Sequence, residues 1–216
     1  MILYSSPSSP YARKIRAALH EIGAHKRVRV VDVDTRDPQS GLWQASPAGR
    51  IPVLVVDGIT IHDSPVILQW VDATFGDRPG GAGLRLLPAS GTARWDALTR
   101  EATGDGLTDT LVPMRMEVLR PAGEQSRTFL EKSRDRVLRI LDGMEHDTVR
   151  FPPVDAVDVG ALGLACSLGY LEFRFPDIEW RPARPALAGW YEAFSQRASL
   201  RLTVPYNLGE SPPVVR

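Results

Sequence analysis

The chain is almost without cysteine. Cys166 is the one thiol among 216 residues, which excludes an intrachain disulfide framework and any metal cluster built from cysteines alone. A charge excess is missing too. Lys plus Arg and Asp plus Glu both total 26, so the formal net charge is zero. No strong basic field exists to hold a polyphosphate backbone, and nucleic acid is not an expected partner. The four histidines, His20, His25, His62 and His146, are scattered without metal-ligand spacing, so no metal is expected. No apolar run approaches the ~18 residues of a membrane span. The opening residues, MILYSSPSSP, have no charged n-region and no long apolar h-region. They do not read as a signal peptide, and a cytoplasmic location without membrane association is the expectation.

What is present suits a globular chain of two domains. The hydrophobic share is 43%, enough for a sizeable core. Met1 to Tyr4 read as a strand, and Ser5 to Pro10 as a loop. Tyr11, Ile15, Leu19 and Ile22 recur at helical spacing, with Arg13, Lys14 and Glu21 on the opposite, solvated side. Gly23 is a plausible stop. Val28 and Val30 alternate with Arg27 and Arg29, so a second strand runs to about Asp34. The slip at Val30-Val31 suggests a bulge or burial on both faces. Val53 to Val56 and Ile59 to Ile61 flank Asp57-Gly58, a strong hairpin signal. A helix opens at Ser64-Pro65, with Ser64 as N-cap, Pro65 at the first position and Val66, Ile67, Trp70 and Val71 facing inward.

The order is βαβ and then ββα. The first unit should pair its strands in parallel and the hairpin must be antiparallel, so a four-stranded mixed sheet with helices on it is the compact solution. Residues 75–88 are rich in Gly and Pro and read as a linker. Beyond them only helical patterns appear, at about 90–118, 123–146, 156–172 and 185–196. The tail from Val204, with three prolines, reads as irregular. The expected division is an α/β domain over 1–78, a linker over 79–89 and an all-helical domain over 90–216.

Three short motifs can carry chemistry. Pro10 suits a first helical position, which puts Ser9 at the N-cap, where free N–H groups and the helix dipole favour an anion or a thiolate. Ile51-Pro52 opens a strand. From these residues alone a trans bond is expected, since cis is the minority form at ~5% of X–Pro bonds. Asp63-Ser64 is a second strand-to-helix junction, with a carboxylate and a hydroxyl beside free N–H groups. Singly, each reads as capping or strand-start chemistry. Together they can lie at one end of a small sheet, where ligands bind in such layouts.

SSPSSPYARKIRAAL, SPAGRIPVLVVDG and IHDSPVILQWVD resemble, in order and spacing, the N-terminal domain of cytosolic glutathione S-transferases, of a serine-using, bacterial-looking type. ATGDGLTDT, DAVDVGALGLACSLGYLEFRFP and PALAGWYEAF resemble that family's helical domain. The resemblance spans nearly the whole chain. It implies a thioredoxin-like domain followed by an all-α domain, with glutathione as co-substrate, no metal, and a homodimer. It implies that Ser9 activates the glutathione thiol and that Ile51, before a cis Pro52, pairs its backbone with the cysteinyl part. Asp63 and Ser64 would hold the γ-glutamyl group and Arg50 the glycyl carboxylate. Asp105 would reach across the dimer to the γ-glutamyl ammonium. Asp63 stands where Glu is usual, so its reach is one methylene shorter. Asp155-Ala156-Val157-Asp158 stands for the family's Ser/Thr-x-x-Asp capping box.

The implied reaction is conjugation of the glutathione thiolate to small hydrophobic electrophiles, a detoxification chemistry. Tyr11, Leu107, Leu111 and Met114, with Met116, are candidates for the co-substrate pocket, although core packing explains the aliphatic ones equally well. Cys166 sits in a run of small apolar residues and reads as a buried, inert thiol. Leu187, Trp190 and Phe194 read as core. Two rival readings remain open. A glutathione-dependent reductase or peroxidase needs a thiol at the helix start, where Ser9 stands. A non-enzymatic binding or partner-docking protein would keep the fold without the chemistry.

Overall fold

The computed structural model describes residues 1–77 and 83–213. Strands β1 (Ile2–Ser5), β2 (Arg29–Asp32), β3 (Val53–Val56) and β4 (Ile59–His62) form one mixed sheet in the order β2-β1-β3-β4. β1 and β2 are parallel, whereas β1–β3 and β3–β4 are antiparallel. Asp57 and Gly58 turn the hairpin with φ of 48° and 81°, the doubly positive pair that a two-residue turn between twisted strands needs. β2 holds unbroken register with β1 from Arg29 to Asp32. No bulge forms at Val30-Val31, and the slipped alternation reflects an edge strand with most side chains exposed.

Helices α1 (Pro10–Glu21) and α3 (Ser64–Phe75) pack on each other and on the sheet, and a one-turn α2 (Leu42–Ala45) precedes β3. α3 starts earlier than the sequence suggested. Asp63 is its N-cap and Ser64 its first residue, with no side-chain cap bond. Its buried face is Ile67, Leu68, Val71 and Phe75, while Val66 is 49% exposed and Trp70 half-buried. Buried Asp72 accepts from the Leu86 and Leu87 N–H groups at 2.6 and 3.3 Å, tying α3 to the chain that enters the second domain. Of the linker expected at 79–89, residues 79–82 lie outside the described residues.

The second domain is helical: α4 (Gly91–Val118), α5 (Arg127–Asp147), α6 (Val159–Arg174), α7 (Pro185–Phe194) and α8 (Ala198–Arg201). α6 is its centre, buried from Val159 through Leu171. Its cap is Asp158, whose carboxylate accepts from the Ala161 N–H at 2.8 Å and from Arg100 at 2.5 Å. Asp155 stays exposed, so the capping role falls on Asp158 alone. Leu187, Trp190 and Phe194 are core, as expected. Among the described residues no strand follows β4 and no helix is long and apolar enough to cross a membrane. From Val204 to Pro213 the tail forms neither helix nor strand.

The domains meet across α1, which packs on α6, α8 and α4 as well as on α3. The expected solvated side of α1 is therefore an interface. Arg13 is 4% exposed and Lys14 2%. Arg13 donates to the Leu200 carbonyl at 3.1 Å. Glu21, at the far end of the helix, accepts two bonds from Arg197 at 2.8 Å and one from Ser199 at 2.5 Å.

Candidate functional site

The strand register decides where the three motifs go. Tyr4 of β1 faces Val53 of β3, and Val53 faces His62 of β4. One row thus crosses the sheet at the end where β1 and β4 finish and β3 begins. Ser9, Pro52 and Asp63 all lie in the chain just beyond that row. The structure brings the motifs to one sheet end, as their order in the sequence suggested.

Ser9 is the N-cap of α1, and its Oγ accepts from the Ala12 N–H at 3.2 Å. Its carbonyl accepts from the Arg13 N–H at 2.9 Å, and Pro10 has no N–H to offer. The Tyr11 N–H and the Ser9 O–H are left as donors at the helix mouth, where the dipole adds positive potential. The Ile51–Pro52 bond is cis, against the expectation from those two residues alone and in line with the family resemblance. Ile51 lies outside the β3 ladder. Arg50 beside it is exposed and makes no ion pair among the described residues.

Asp63 is exposed and has φ 71° and ψ 128°. A side chain in that region costs about 1–3 kcal/mol and persists where the surroundings over-determine it. The strand-to-helix corner imposes it here and turns Asp63 outward, while Ser64 is buried at the base of the corner.

α4 supplies a carboxylate wall that the sequence only partly disclosed. Lys14 Nζ contacts Glu101 at 3.0 Å and both oxygens of Asp105 at 2.7 and 2.8 Å. Asp105, expected to reach across a dimer, is thus held within its own chain, with 20% of its side chain exposed. Burial pushes both carboxyls above their ordinary range; Lys14 opposes this, and Asp63 lies near enough to reinforce it. The missed cue is Ala17 and Ala18, one turn beyond Lys14 on α1. Small residues there mark a second close-packed face.

Tyr11 spans the same junction. Its hydroxyl donates to Asp109 of α4, and burial first, then this bond, pushes its ionisation far above the ordinary phenol value. It is a neutral donor. Leu107, Leu111 and Met114 pack into the core, at 0, 0 and 2% exposure. Burial excludes them as lining of an open pocket, and Met116 is 56% exposed. Cys166 is buried and burial pushes its thiol up, the setting of a structural cysteine. Among the described residues no group of three or more His, Cys, Asp and Glu could hold a metal.

The family model of the glutathione S-transferase N-terminal domain matches residues 3–79, and that of the C-terminal domain matches residues 127–193. The GST-like protein YibF of Escherichia coli K12 is 30% identical over 207 residues, covering 95% of this chain and 98% of its own. The chain belongs to the glutathione S-transferase family. A family member from Pseudomonas fluorescens Pf-5, solved with bound glutathione, is 37% identical with a TM-score of 0.86, covering 95% of this chain and 98% of that one. A second structure of a Pf-5 family member, also 37% identical (TM-score 0.83, covering 95% and 100%), holds S-(propanoic acid)-glutathione. A glutathione S-transferase of Methylobacillus flagellatus KT with bound glutathione is 34% identical, with a TM-score of 0.83 and coverage of 95% and 99%.

Proposed function

We propose that the chain binds glutathione along the β3 edge and transfers its sulfur to an electrophile in the cleft between the domains. The observation that carries this reading is the Ser9 helix mouth at the sheet end it shares with Ile51–Pro52 and Asp63. The Ser9 O–H and the Tyr11 N–H donate to the glutathione sulfur and favour the thiolate. Lowering a thiol pKa from ~8.5 to ~6.5 amounts to about 2.7 kcal/mol. One hydroxyl bond to a charged partner contributes about 1.5–3 kcal/mol, so Ser9 and the helix dipole suffice together. Ser9 is a donor, with no base beside it, and the glutathione sulfur is the nucleophile.

The remaining roles follow the geometry. Ile51 offers its backbone to the cysteinyl part, with Pro52 fixing the turn. Asp63 and Ser64 take the γ-glutamyl group, Asp105 adds negative field for its ammonium, and Arg50 reaches the glycyl carboxylate. Bound glutathione in the Pf-5 and Methylobacillus neighbours supports the ligand, and the thioether in the second Pf-5 structure supports a conjugating reaction. We place the enzyme in the cytoplasm as a homodimer. Ile59 and Val66, 66% and 49% exposed on β4 and α3, and Trp95, 66% exposed on α4, support an apolar contact between copies.

The test is Ser9→Ala. Conjugation, followed as kcat/KM for glutathione, should fall about 10- to 100-fold, with the rise of rate with pH moved upward. Undiminished conjugation would remove Ser9 from the reaction. No calorimetric binding at millimolar glutathione would favour a docking protein instead.

A further inference from the structure

α4 and α6 run side by side in the same direction at near backbone contact. A Cβ on Gly160 would stand 2.5 Å from the Ala97 carbonyl oxygen, and one on Gly104 would stand 2.8 Å from the Gly163 backbone. Continued along both helices, this alignment brings Arg115 level with Tyr170 and Arg174. The Arg174 guanidinium lies 6.0 Å from the Tyr170 ring centroid, and Arg115 is close enough for its charge to act on both residues. Arg174 also donates to Asn207 Oδ1 at 2.7 Å and stacks over Phe173 at 4.0 Å.

Among the described residues, neither guanidinium has a carboxylate within ion-pair distance. Glu210 acts on Arg174 only from farther away, and its oxygens accept from Asn207 at 2.9 and 3.3 Å. Arg174 Nε is buried without a partner. Two cations therefore gather around one tyrosine, and among the described residues neither forms an ion pair. The cluster lies beyond the thiol site along α4, because Tyr11, two residues beyond Ser9, donates to Asp109, six residues before Arg115 on that helix.

We propose that this cluster binds a carboxylate of the electrophilic co-substrate, with Arg115 and Arg174 as its forked donors and Tyr170 between them; the proposal rests on the glutathione-transfer reading above. The substrate class is a conjugated unsaturated carboxylic acid. The glutathione thiolate forms a bond from sulfur to the β-carbon. The π pair of the double bond moves to the α-carbon and carboxylate, where two guanidiniums meet the growing negative charge. The α-carbon then takes a proton from water, replacing the one the thiol released. The sum is addition of S–H across the double bond, with no leaving group and no oxidant.

Calorimetric titrations of the intact chain with glutathione, S-(carboxyethyl)glutathione and S-propylglutathione test this without chemistry. The wild type should bind the carboxyethyl thioether about tenfold more tightly than the propyl one. Arg115→Gln should remove most of that preference and leave glutathione affinity within about twofold. Arg174→Gln should do the same, but it also releases Asn207, so Arg115→Gln, which leaves the tail contact intact, decides the matter. In turnover, the kcat/KM ratio of acrylate to acrylamide should drop about tenfold in Arg115→Gln. Equal affinities for the two thioethers in the wild type, or a preference that survives Arg115→Gln, would overturn the proposal while glutathione still binds. Loss of glutathione binding itself in the wild type would instead overturn the transfer reading, and this one with it.

Discussion

Two ionic clusters share one face of α4 and differ in what they need. Glu101, Asp105, Thr108, Val112 and Arg115 follow one another at spacings of four and three, so they line a single stripe. At one end, one cation serves two carboxylates. Lys14 and Glu101 are 2 and 3% exposed, and every charge has a bonded partner. About 15 Å beyond Asp105 along the helix, half-buried Arg115 lies near Arg174, which donates to Asn207 of the tail, and among the described residues neither forms an ion pair. The first cluster crosses from α1 to α4 and fixes the domains against each other. The second has charge to spare. Burial with full pairing marks structure, and accessible charge without pairing marks recognition.

The sharpest way to break this contrast is to remove one cation from each cluster. Lys14→Met leaves two carboxylates buried without their partner, and urea unfolding should show a loss of about 3–5 kcal/mol. Arg115→Gln should stay within about 0.5 kcal/mol of wild type in the same assay. Comparable losses would mean that both clusters are structural.

Acid titration separates the Lys14 cluster from the other interdomain ion pair. Burial, only partly opposed by Lys14, raises Glu101 and Asp105 in the folded state. Their contribution is then full below the ordinary carboxylate range and is lost as pH rises through the raised folded values. Glu21 has the opposite sign. Burial would raise it, but the bonds from Arg197 and Ser199 outweigh that and hold it below its ordinary value. Its contribution is present above the ordinary range and lost as pH falls through the lowered one. Unfolding curves between pH 7 and pH 3 should therefore show Glu101→Gln losing ground to wild type on acidification and Glu21→Gln gaining it. Parallel curves for the two variants would show that the clusters are not electrostatically distinct.

The same contrast explains what the sequence could disclose. Local chemistry was legible. Ser9-Pro10 marks a cap and Asp57-Gly58 a hairpin, because each acts on its own neighbours. The order βαβ-ββα fixes which strand ends coincide, so the grouping of Ser9, Pro52 and Asp63 could be anticipated. Relations between domains could not. Lys14 looks solvated until α4 covers α1, and Leu107 looks like pocket lining until α6 covers it. The α3 face is not fixed by local sequence, because Ser64 is as good a cap as Asp63 on propensity. The corner that follows β4, rather than the side chain, sets which one caps.

That corner supports the finest prediction. α1 and α3 both start just after a strand at the same sheet end, yet Ser9 caps from a relaxed φ of −77° whereas Asp63 sits at +71°. Glycine adopts that conformation without the side-chain penalty, so Asp63→Gly should raise stability by about 1 kcal/mol in urea unfolding. It also removes the carboxylate assigned to the γ-glutamyl ammonium, and glutathione should bind about tenfold more weakly by calorimetry. Asp63→Ala separates the two effects, since it keeps the backbone strain and loses the same carboxylate. It should match the glycine variant in binding and show none of its gain in stability. If alanine also stabilises, the Asp63 side chain and not its backbone is what the fold tolerates for function.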